Sequence, residues 1–352
     1  MKILFVSDAQ SIHTRRWAEY FCGQGCSVHI ASFRPASIDG VNIHLLPTFG
    51  LGKAGYLLTL PKLRQIYRYI RPDIVHAQYV TSYGFLSALA GLKPLVLTAW
   101  GSDILLSPKK LRLIRFFASY ATRHADALIA VAEHMIPSFY LLGAAQNSVE
   151  IIPDGVDMEL FRLVPDYMPS EPVRIISTRS FSPIYDVQTL ITALGFLKQG
   201  NQLFEADIIG DGSLRETLET QARSLGLSEQ VRFHGYVSHD RLPALLASSD
   251  IYVTSALSDG NSVSLNEAMA CGCFPIGARI PANMQSIEHG QNGLLYEPGN
   301  AVSLAEKLFE GISMRPRWAE IRSYNRKIVE TRADWKMCTQ KMEAIYQRLI
   351  SM

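Results

Sequence analysis

Short apolar runs alternate with helical segments along almost the whole sequence, and this alternation restricts the possible folds more than any other feature. The first series of apolar runs comprises Ile3–Ser7, Ser27–Ser32, Ile74–Ala77, Pro94–Thr98, Ala127–Val131 and Val149–Ile152. Most of the stretches between them have the period of a helix. Continuous apolar strands separated by helices indicate a parallel sheet covered on both faces. We therefore predict a doubly wound α/β domain.

A second series of apolar runs follows a proline-rich stretch at 161–172, FRLVPDYMPSEP, which has no periodicity. Its members are Val173–Thr178, Ala206–Ile209, Val231–Phe233, Ile251–Thr254, Phe274–Gly277 and Leu294–Tyr296. We interpret the proline-rich stretch as a linker between domains. The predicted fold is α/β, with two Rossmann-like domains (1–165 and 166–330) facing each other across a cleft. We expect a C-terminal helix (331–352) to pack back on the first domain.

The charges are unevenly distributed between the two halves of the chain. The net charge is +2, which gives no global attraction to nucleic acid. Residues 1–165 carry 16 Lys and Arg against 11 Asp and Glu, whereas the remainder carries 18 against 21. The basic half predicts an anionic partner, either a membrane surface or a phosphorylated acceptor.

The first residues and the cysteines predict a cytoplasmic protein. The run MKILFVSD is too short for the apolar region of a signal peptide, and no apolar stretch reaches the ~20 residues of a spanning helix. Any membrane contact would be peripheral, at the inner face. The five cysteines match no zinc-site spacing and are expected to be reduced: Cys22, Cys26, Cys271, Cys273 and Cys338.

The segment from Ser258 to Gly272, SDGNSVSLNEAMACG, has the pattern of a ligand-binding helix start. A strand leads into a polar, glycine-containing loop, and the loop opens a helix whose free first-turn amides favour phosphate. Glu267 is placed to accept hydrogen bonds from hydroxyls such as those of a ribose, and Asp259 to hold those of a sugar. The alternative is a plain N-cap at Ser262 or Ser264 and a solvated Glu267.

The same segment resembles the signature of glycosyltransferase family 4, two acids seven residues apart followed by Glu-Ala-Met-Ala-Cys-Gly. Glu267–Gly272 reproduces the second acid and its tail, and Asp259 stands where the family has glutamate. Further segments resemble family elements in the same order: IIPDGVDMELF (151–161), DIIGDGSLRETLE (207–219), VRFHGYVSHD (231–240) and GQNGLLYEPGN (290–300). The resemblance covers nearly the whole chain.

This resemblance implies a GT-B fold and a retaining hexosyltransferase that uses a nucleotide-sugar donor, with UDP as the expected nucleotide. It implies no cofactor and no metal. In the family the second acid holds the ribose, the first contacts the donor sugar, and Tyr236 and Val237 match the neighbours of the base. The donor-binding residues are then Tyr185, Gly210, Asp211, Tyr236, Val237, Gly260, Asn261, Ser262, Val263, Ser264 and Glu267, with Asp259 among the catalytic residues.

Arg179 follows the first strand of the second domain, where the family places an arginine against the donor diphosphate. Together with the helix near Ser262 it would stabilise the departing diphosphate, which takes the proton of the acceptor. The family's lysine is missing, and Tyr185 stands in its region. Tyr185 then donates a hydrogen bond or another cation supplies the charge. The alternative for Arg179 is an ordinary surface arginine.

In the first domain, the resemblance implies catalytic roles for His76, at the end of a strand, and for Asp103 in the loop TAWGSDIL. His76 would meet the reacting hydroxyl. We also expect acceptor contacts from Trp100 and from His13, Arg15 and Arg16 of the first strand-to-helix loop. The alternatives are a buried His76, a packed Trp100 and a solvated basic helix start.

Two basic segments, Leu60–Pro72 and Ser107–His124, interleave cations with apolar and aromatic residues. Such helices bind anionic bilayers or simply cover a sheet with a solvated face, and the sequence does not distinguish the two. The expected partners are a nucleotide-sugar donor, a glycan, glycolipid or small-molecule acceptor and an anionic membrane, without nucleic acid. A sugar-nucleotide epimerase and a non-catalytic partner of the same fold are the alternative functions.

Overall fold

A computed structural model describes residues 1–50, 52–165 and 167–352. Its contacts divide the chain into two compact units. The first comprises Met1–Asp154 and Thr339–Met352, and the second comprises Gly155–Cys338. Each unit contains one sheet in which all strand pairs are parallel. The predicted α/β class with two doubly wound sheets is confirmed.

The sheet of the first unit has seven strands: β1 Lys2–Val6, β2 Ser27–Ser32, β3 Val41–Leu45, β4 Ile74–Gln78, β5 Leu95–Ala99, β6 Ala127–Ala130 and β7 Val149–Ile151. Their spatial order is β3-β2-β1-β4-β5-β6-β7. The helices of this part are α1 Ile12–Gly23, α2 Leu60–Ile70, α3 Phe85–Ala90, α4 Ser102–Leu105, α5 Ser107–Lys110, α6 Arg112–His124 and α7 Ile136–Leu141. The strand order reverses between β1 and β4, which is where ligands bind in such sheets.

The sequence analysis missed β3, the strand at the edge of this sheet. None of its five residues is fully buried, and Asn42 and His44 interrupt the apolar pattern. An edge strand with polar residues lacks the continuous apolar run by which the other strands were found.

The sheet of the second unit has six strands: β8 Val173–Thr178, β9 Phe204–Ile209, β10 Val231–Gly235, β11 Ile251–Thr254, β12 Phe274–Ala278 and β13 Leu294–Tyr296. Their order is β10-β9-β8-β11-β12-β13, so the reversal lies between β8 and β11. The helices are α8 Val187–Gln199, α9 Arg215–Ser224, α10 Leu242–Ala247, α11 Val263–Cys271, α12 Pro281–Met284, α13 Ala301–Ser313 and α14 Trp318–Arg332. Separate apolar cores fill the two faces of this sheet.

The last helix, α15 (Trp335–Ile350), contributes to both units. From Thr339 onward its residues belong to the first unit. There the Tyr346 ring is fully buried and stacks on Phe21, with ring centroids 5.0 Å apart. The end of the chain therefore completes the core of the first unit.

The division between the units falls at Asp154 and Gly155 rather than at residue 165. Val156 explains the difference, because its amide donates to Ala333 and its carbonyl accepts from Trp335. Phe161 is fully buried in the core of the second unit. Most of the stretch interpreted as a linker is thus part of the second unit, while Asp166 lies outside the described residues.

Candidate functional site

A cavity of about 280 Å³ opens at the carboxyl edge of the second sheet. Its walls come from the loops after β8, β9 and β10 and from α11. The lining residues are Thr178, Arg179, Ser180, Ile209, Gly210, Asp211, Tyr236, Val237, Leu242, Ser264 and Glu267. Seven residues predicted to bind the donor or act on it are therefore brought together here. The loops converge because parallel strands end at the same edge of the sheet.

Arg179 holds together the loops that follow β8 and β11. Its Nη2 donates to Asp259 Oδ2 at 2.7 Å and to Ser262 Oγ at 2.5 Å, and its Nε donates to Thr254 Oγ1 at 3.2 Å. The side chains of Arg179 and Asp259 are only 9% and 14% exposed. The sequence analysis did not single out Thr254, although its place at the end of β11 is the signal for it.

The guanidinium of Arg179 remains charged in this setting. Burial acts to lower the pKa of Arg179, but the charge of Asp259, with smaller contributions from Tyr252 and Tyr185, more than offsets it and raises the pKa. The Tyr185 ring centroid lies 5.1 Å from the guanidinium carbon, within the range of a cation–π contact. Burial raises the pKa of the Tyr185 hydroxyl, which therefore stays protonated. Tyr185 accordingly contributes an aromatic face to Arg179 rather than a second cation.

The two glycines of the Gly-Asp-Gly turn are required by a close approach of two loops. A Cβ on Gly210 would lie 2.0 Å from the carbonyl oxygen of Arg179, and one on Gly212 would lie 2.5 Å from that of Phe181. Both residues have positive φ, +144° and +155°. Asp211 Oδ2 accepts from Arg215 at 3.0 Å, so this carboxylate supports the start of α9. The turn thus positions the backbone that carries Arg179.

Helix α11 begins at Val263, directly after the polar loop. Gly260 is buried, and its amide donates to Asp259 Oδ1 at 2.8 Å, while Asn261 is half-buried. Ser262 occupies the N-cap position, but its hydroxyl accepts from Arg179 rather than from the helix. Glu267 lies one turn further on, is only 6% exposed and approaches His239 Nδ1 at 4.0 Å. It is therefore not the solvated acid of the alternative interpretation.

A larger cavity, of about 700 Å³, opens at the carboxyl edge of the first sheet. Polar residues at or after the ends of β1, β2 and β4 line one part of it: Ser7, Asp8, Ser11, Arg34 and Gln78. Arg34 and Asp8 form an ion pair there at 3.5 Å. Aromatic and aliphatic residues dominate the rest, among them Tyr56, Tyr83, Trp100, Leu113, Ile114 and Phe117. The first unit therefore presents a mostly apolar site at the same topological position at which the second presents a charged one.

The structure contradicts the expected contact of His76 with a reacting hydroxyl. His76 is fully buried, and its Nδ1 and Nε2 lie 2.6 and 2.7 Å from the hydroxyls of Tyr346 and Thr98. Burial lowers the pKa of His76 to about 3. A neutral ring with both nitrogens occupied supports the core and handles no substrate proton.

Asp103 is likewise a structural residue rather than a catalytic one. Its carboxylate is fully buried and accepts from the amides of Val80 at 2.8 Å, Gly101 at 2.9 Å and Trp100 at 3.1 Å. Burial raises the pKa of Asp103, although the backbone hydrogen bonds act in the opposite direction. The side chain fixes the loops after β4 and β5, and so it positions Trp100 at the cavity.

The first turns of α1 form a cluster that was predicted only in part from the sequence. The His13 ring stacks on Trp100 with centroids 4.6 Å apart, and its Nδ1 contacts the carboxylate of the buried Asp154. Arg16 lies 3.7 Å from the same carboxylate, whereas Arg15 turns to solvent and pairs with Glu19. Asp154 was missed because nothing in the sequence links it to the start of a helix 141 residues earlier.

Two searches of the described residues bear on metals and membranes. Across 1–50, 52–165 and 167–352, no group of three or more His, Cys, Asp and Glu side chains is arranged to hold a metal ion. No helix within those ranges is long and apolar enough to cross a membrane. All five cysteines are free thiols, and Cys271, Cys273 and Cys338 are buried.

Comparisons with known proteins agree with this arrangement. Residues 2–132 match a family model described as glycosyl transferase 4-like, and residues 168–328 match one described as glycosyl transferases group 1. An uncharacterised glycosyltransferase of Methanocaldococcus jannaschii is 27% identical over 79% of this chain and 76% of its own length. N-acetyl-alpha-D-glucosaminyl L-malate synthase of Bacillus anthracis is 24% identical over 79% of this chain and 74% of its own.

Among solved structures, Anabaena HepE in complex with UDP and glucose superimposes with a TM-score of 0.83. The alignment covers 99% of this chain and all of the other, at 22% identity, which supports a common fold. The two family models together span most of the sequence, and the two sheets have the expected topology. The chain therefore belongs to the glycosyltransferases of the GT-B fold and family 4 type.

Proposed function

We propose that this glycosyltransferase moves a hexose from a nucleotide sugar, with UDP as the nucleotide, to an acceptor hydroxyl with retention of anomeric configuration. The observation that carries the proposal is the Arg179 cluster, which borders a cavity that Glu267 also lines. A charged arginine beside the free amides of α11 suits a diphosphate. HepE, whose structure contains UDP and glucose, supports the choice of nucleotide.

In the proposed reaction the second unit stabilises the leaving group. Arg179 and the first amides of α11 neutralise the charge that develops on the diphosphate as the bond to the sugar breaks. The diphosphate oxygen then accepts the proton of the attacking hydroxyl. No side chain has to act as a base, which agrees with the buried and neutral state of His76. The proposal includes no metal or other cofactor, since these groups supply the positive charge.

Glu267 is proposed to hold the ribose hydroxyls, and Asp259 to orient both Arg179 and the donor sugar. Tyr236, which is 81% exposed at the edge of the cavity, offers a face for the base, with Val237 beside it. The acceptor belongs to the first unit, whose cavity includes Trp100. Membership in the glycosyltransferases favours transfer over the epimerase and non-catalytic alternatives.

The test is release of nucleotide from UDP-glucose, UDP-galactose, UDP-N-acetylglucosamine and GDP-mannose without added acceptor. Slow hydrolysis of a UDP-sugar is expected, and Glu267→Ala should weaken donor binding by about 10- to 100-fold, as expected for loss of a charge-assisted hydrogen bond. Glu216→Ala, an exposed acid on α9, is the matched control and should change nothing. Unchanged donor affinity in Glu267→Ala, or interconversion of sugars without nucleotide release, would overturn the proposal.

A further inference from the structure

The cavity of the first unit combines a polar part at the strand ends with a long apolar part. Its volume, about 700 Å³, lies within the ~300–1,000 Å³ of sites that enclose a small ligand. Phe117 of α6 stacks on Phe85, with ring centroids 4.1 Å apart, and this pair forms part of the apolar wall. Such a wall supplies few hydrogen bonds, so it favours an apolar ligand group over a sugar chain.

The polar part of the cavity contains a buried donor that lacks an acceptor. Gln78 is 1% exposed, and its Oε1 accepts from Ser7 and Thr14, both at 2.9 Å. Its Nε2 is buried and has no hydrogen-bond partner among the described residues. Buried polar groups are normally paired. An oxygen of a bound headgroup is the acceptor that this end of the cavity lacks.

The apolar part of the cavity continues onto the surface of the unit. Leu57 and Leu113 line the cavity and are nevertheless 46% and 61% exposed. On the same helix as Leu113, Phe116 is 59% exposed, and Leu111 just before that helix is 60% exposed. Exposed apolar side chains grouped at the rim of a cavity mark a surface that binds a membrane, a protein or a ligand.

Four cations alternate with these apolar residues along α5 and α6. Lys109, Lys110, Arg112 and Arg115 are all exposed, and within the part of the chain that the structure describes none of them forms an ion pair. The basic side chains of α5 and α6 are therefore available to bind an anionic bilayer. On α2, by contrast, Arg64 already donates to the backbone carbonyls of Leu89 and Ala90 at the end of α3.

We propose that the acceptor is a membrane lipid whose hydrocarbon chain occupies the apolar part of this cavity. Its headgroup lies at the strand ends beside Ser11 and Gln78, and its chain leaves past Leu57 and Leu113 towards the bilayer. The four cations hold the unit against anionic headgroups. This inference deepens the proposed function, because it names the acceptor class that the transferase uses.

The first test measures binding without any donor, so it is independent of the proposed sugar transfer. Two series of ligands, alkyl β-glucosides and alkyl phosphates from butyl to octyl, are titrated calorimetrically below their micellar concentrations. In at least one series affinity should rise about fourfold for each added methylene, the value for a buried CH₂. Leu57→Glu/Leu113→Glu should weaken octyl binding by at least tenfold. Both positions are partly exposed, so the variant is expected to fold.

Tyr69→Glu/Leu141→Glu is the control, since it adds the same charge at two exposed positions that do not line the cavity. Equal weakening in both variants, or no dependence on chain length in either series, would overturn the lipid assignment.

A second test uses co-sedimentation with vesicles of phosphatidylglycerol or phosphatidylcholine. Binding to the anionic vesicles only is expected, and Lys109→Glu/Lys110→Glu should reduce it severalfold. Equal binding to neutral vesicles, or none to either, would contradict the membrane part of the proposal.

Discussion

The cavities of the two units lie at the same place in the same kind of sheet, but the residues that line them differ. In the second unit the loops that bear Arg179 and Asp259 bring a cation and an anion together beside the cavity. In the first unit the equivalent edge carries serines, Gln78 and a partly exposed ion pair of Asp8 with Arg34, next to a larger wall of aromatic and aliphatic residues. A further charged group of the first unit, Asp103, is buried and accepts from backbone amides instead.

This difference shows that the fold determines where a cavity forms, whereas the ligand to be bound determines which residues line it. A doubly wound sheet provides only a position, the point where the strand order reverses. A diphosphate requires positive charge and free amides, and these occur in recognisable order along the sequence. An apolar acceptor requires only a surface of suitable size, to which many residues contribute.

The largest effect is expected from Arg179→Ala, which removes the cation from the charged cavity. The variant should lose about 100- to 1,000-fold in the rate of nucleotide release, the magnitude found when one preorganised electrostatic group is deleted. It also leaves Asp259 buried without its partner. Initial rates with saturating donor measure the effect.

The control for Arg179→Ala is Arg232→Ala, which removes an exposed ion pair with Glu205 in the same unit. Its rate should stay within twofold of the parent. Equal rates for the two variants would show that Arg179 does not stabilise the leaving group in the second cavity.

A smaller effect is expected from His76→Gln, and it concerns stability. Loss of the bonds to Tyr346 and Thr98 should lower the free energy of unfolding at pH 7 by about 1–3 kcal/mol. The parent should also lose stability as the pH falls from about 6.5 towards 3, because the unfolded chain takes up a proton that the buried ring refuses. The slope is about 1.4 kcal/mol per pH unit.

Urea unfolding at pH 7 and pH 5 measures both quantities, and His76→Gln should lack this histidine's share of the pH slope. An identical slope in the variant would contradict the buried, neutral state of His76. A shift in the pH profile of turnover would indicate that His76 takes part in the reaction.

The smallest effect is expected from Arg15→Ala in the first turn of α1. Arg15 and Glu19 form an exposed i,i+4 pair, both about half exposed, and such pairs contribute about 0.3–0.5 kcal/mol. Arg16→Ala should cost more, because the Arg16 side chain is 15% exposed and lies near the buried Asp154. Thermal unfolding of the two variants compares them directly, and equal losses would contradict the placement of Arg15 in solvent.

The second unit was largely predictable from the sequence. Its strands are continuous apolar runs, and Asp259, Ser262 and Glu267 follow one of them at short spacing; the local pattern left a plain N-cap as an alternative, and the family resemblance implied the roles of these residues. Even there the prediction for Tyr185 was incomplete, because a stacked ring and a hydrogen-bond donor look the same in a sequence.

The first unit was predicted less well because its site is assembled from distant segments. The resemblance implied catalytic roles for His76 and Asp103, but both side chains are fully buried. Their burial depends on how the whole core packs, so it could not be predicted from the neighbouring residues. Asp154 contacts His13, although the two residues are 141 positions apart in the sequence. The cavity itself combines side chains from at least six loops and helices, a proximity that no local pattern expresses.

Tyr346 has a consequence for how the protein is made. The residues from Thr339 onward that complete the first unit are synthesised only after all of Gly155–Cys338. Until then the nascent first unit lacks the ring that covers Phe21 and the hydroxyl that pairs with His76. During translation the second unit can therefore complete its core before the first unit does.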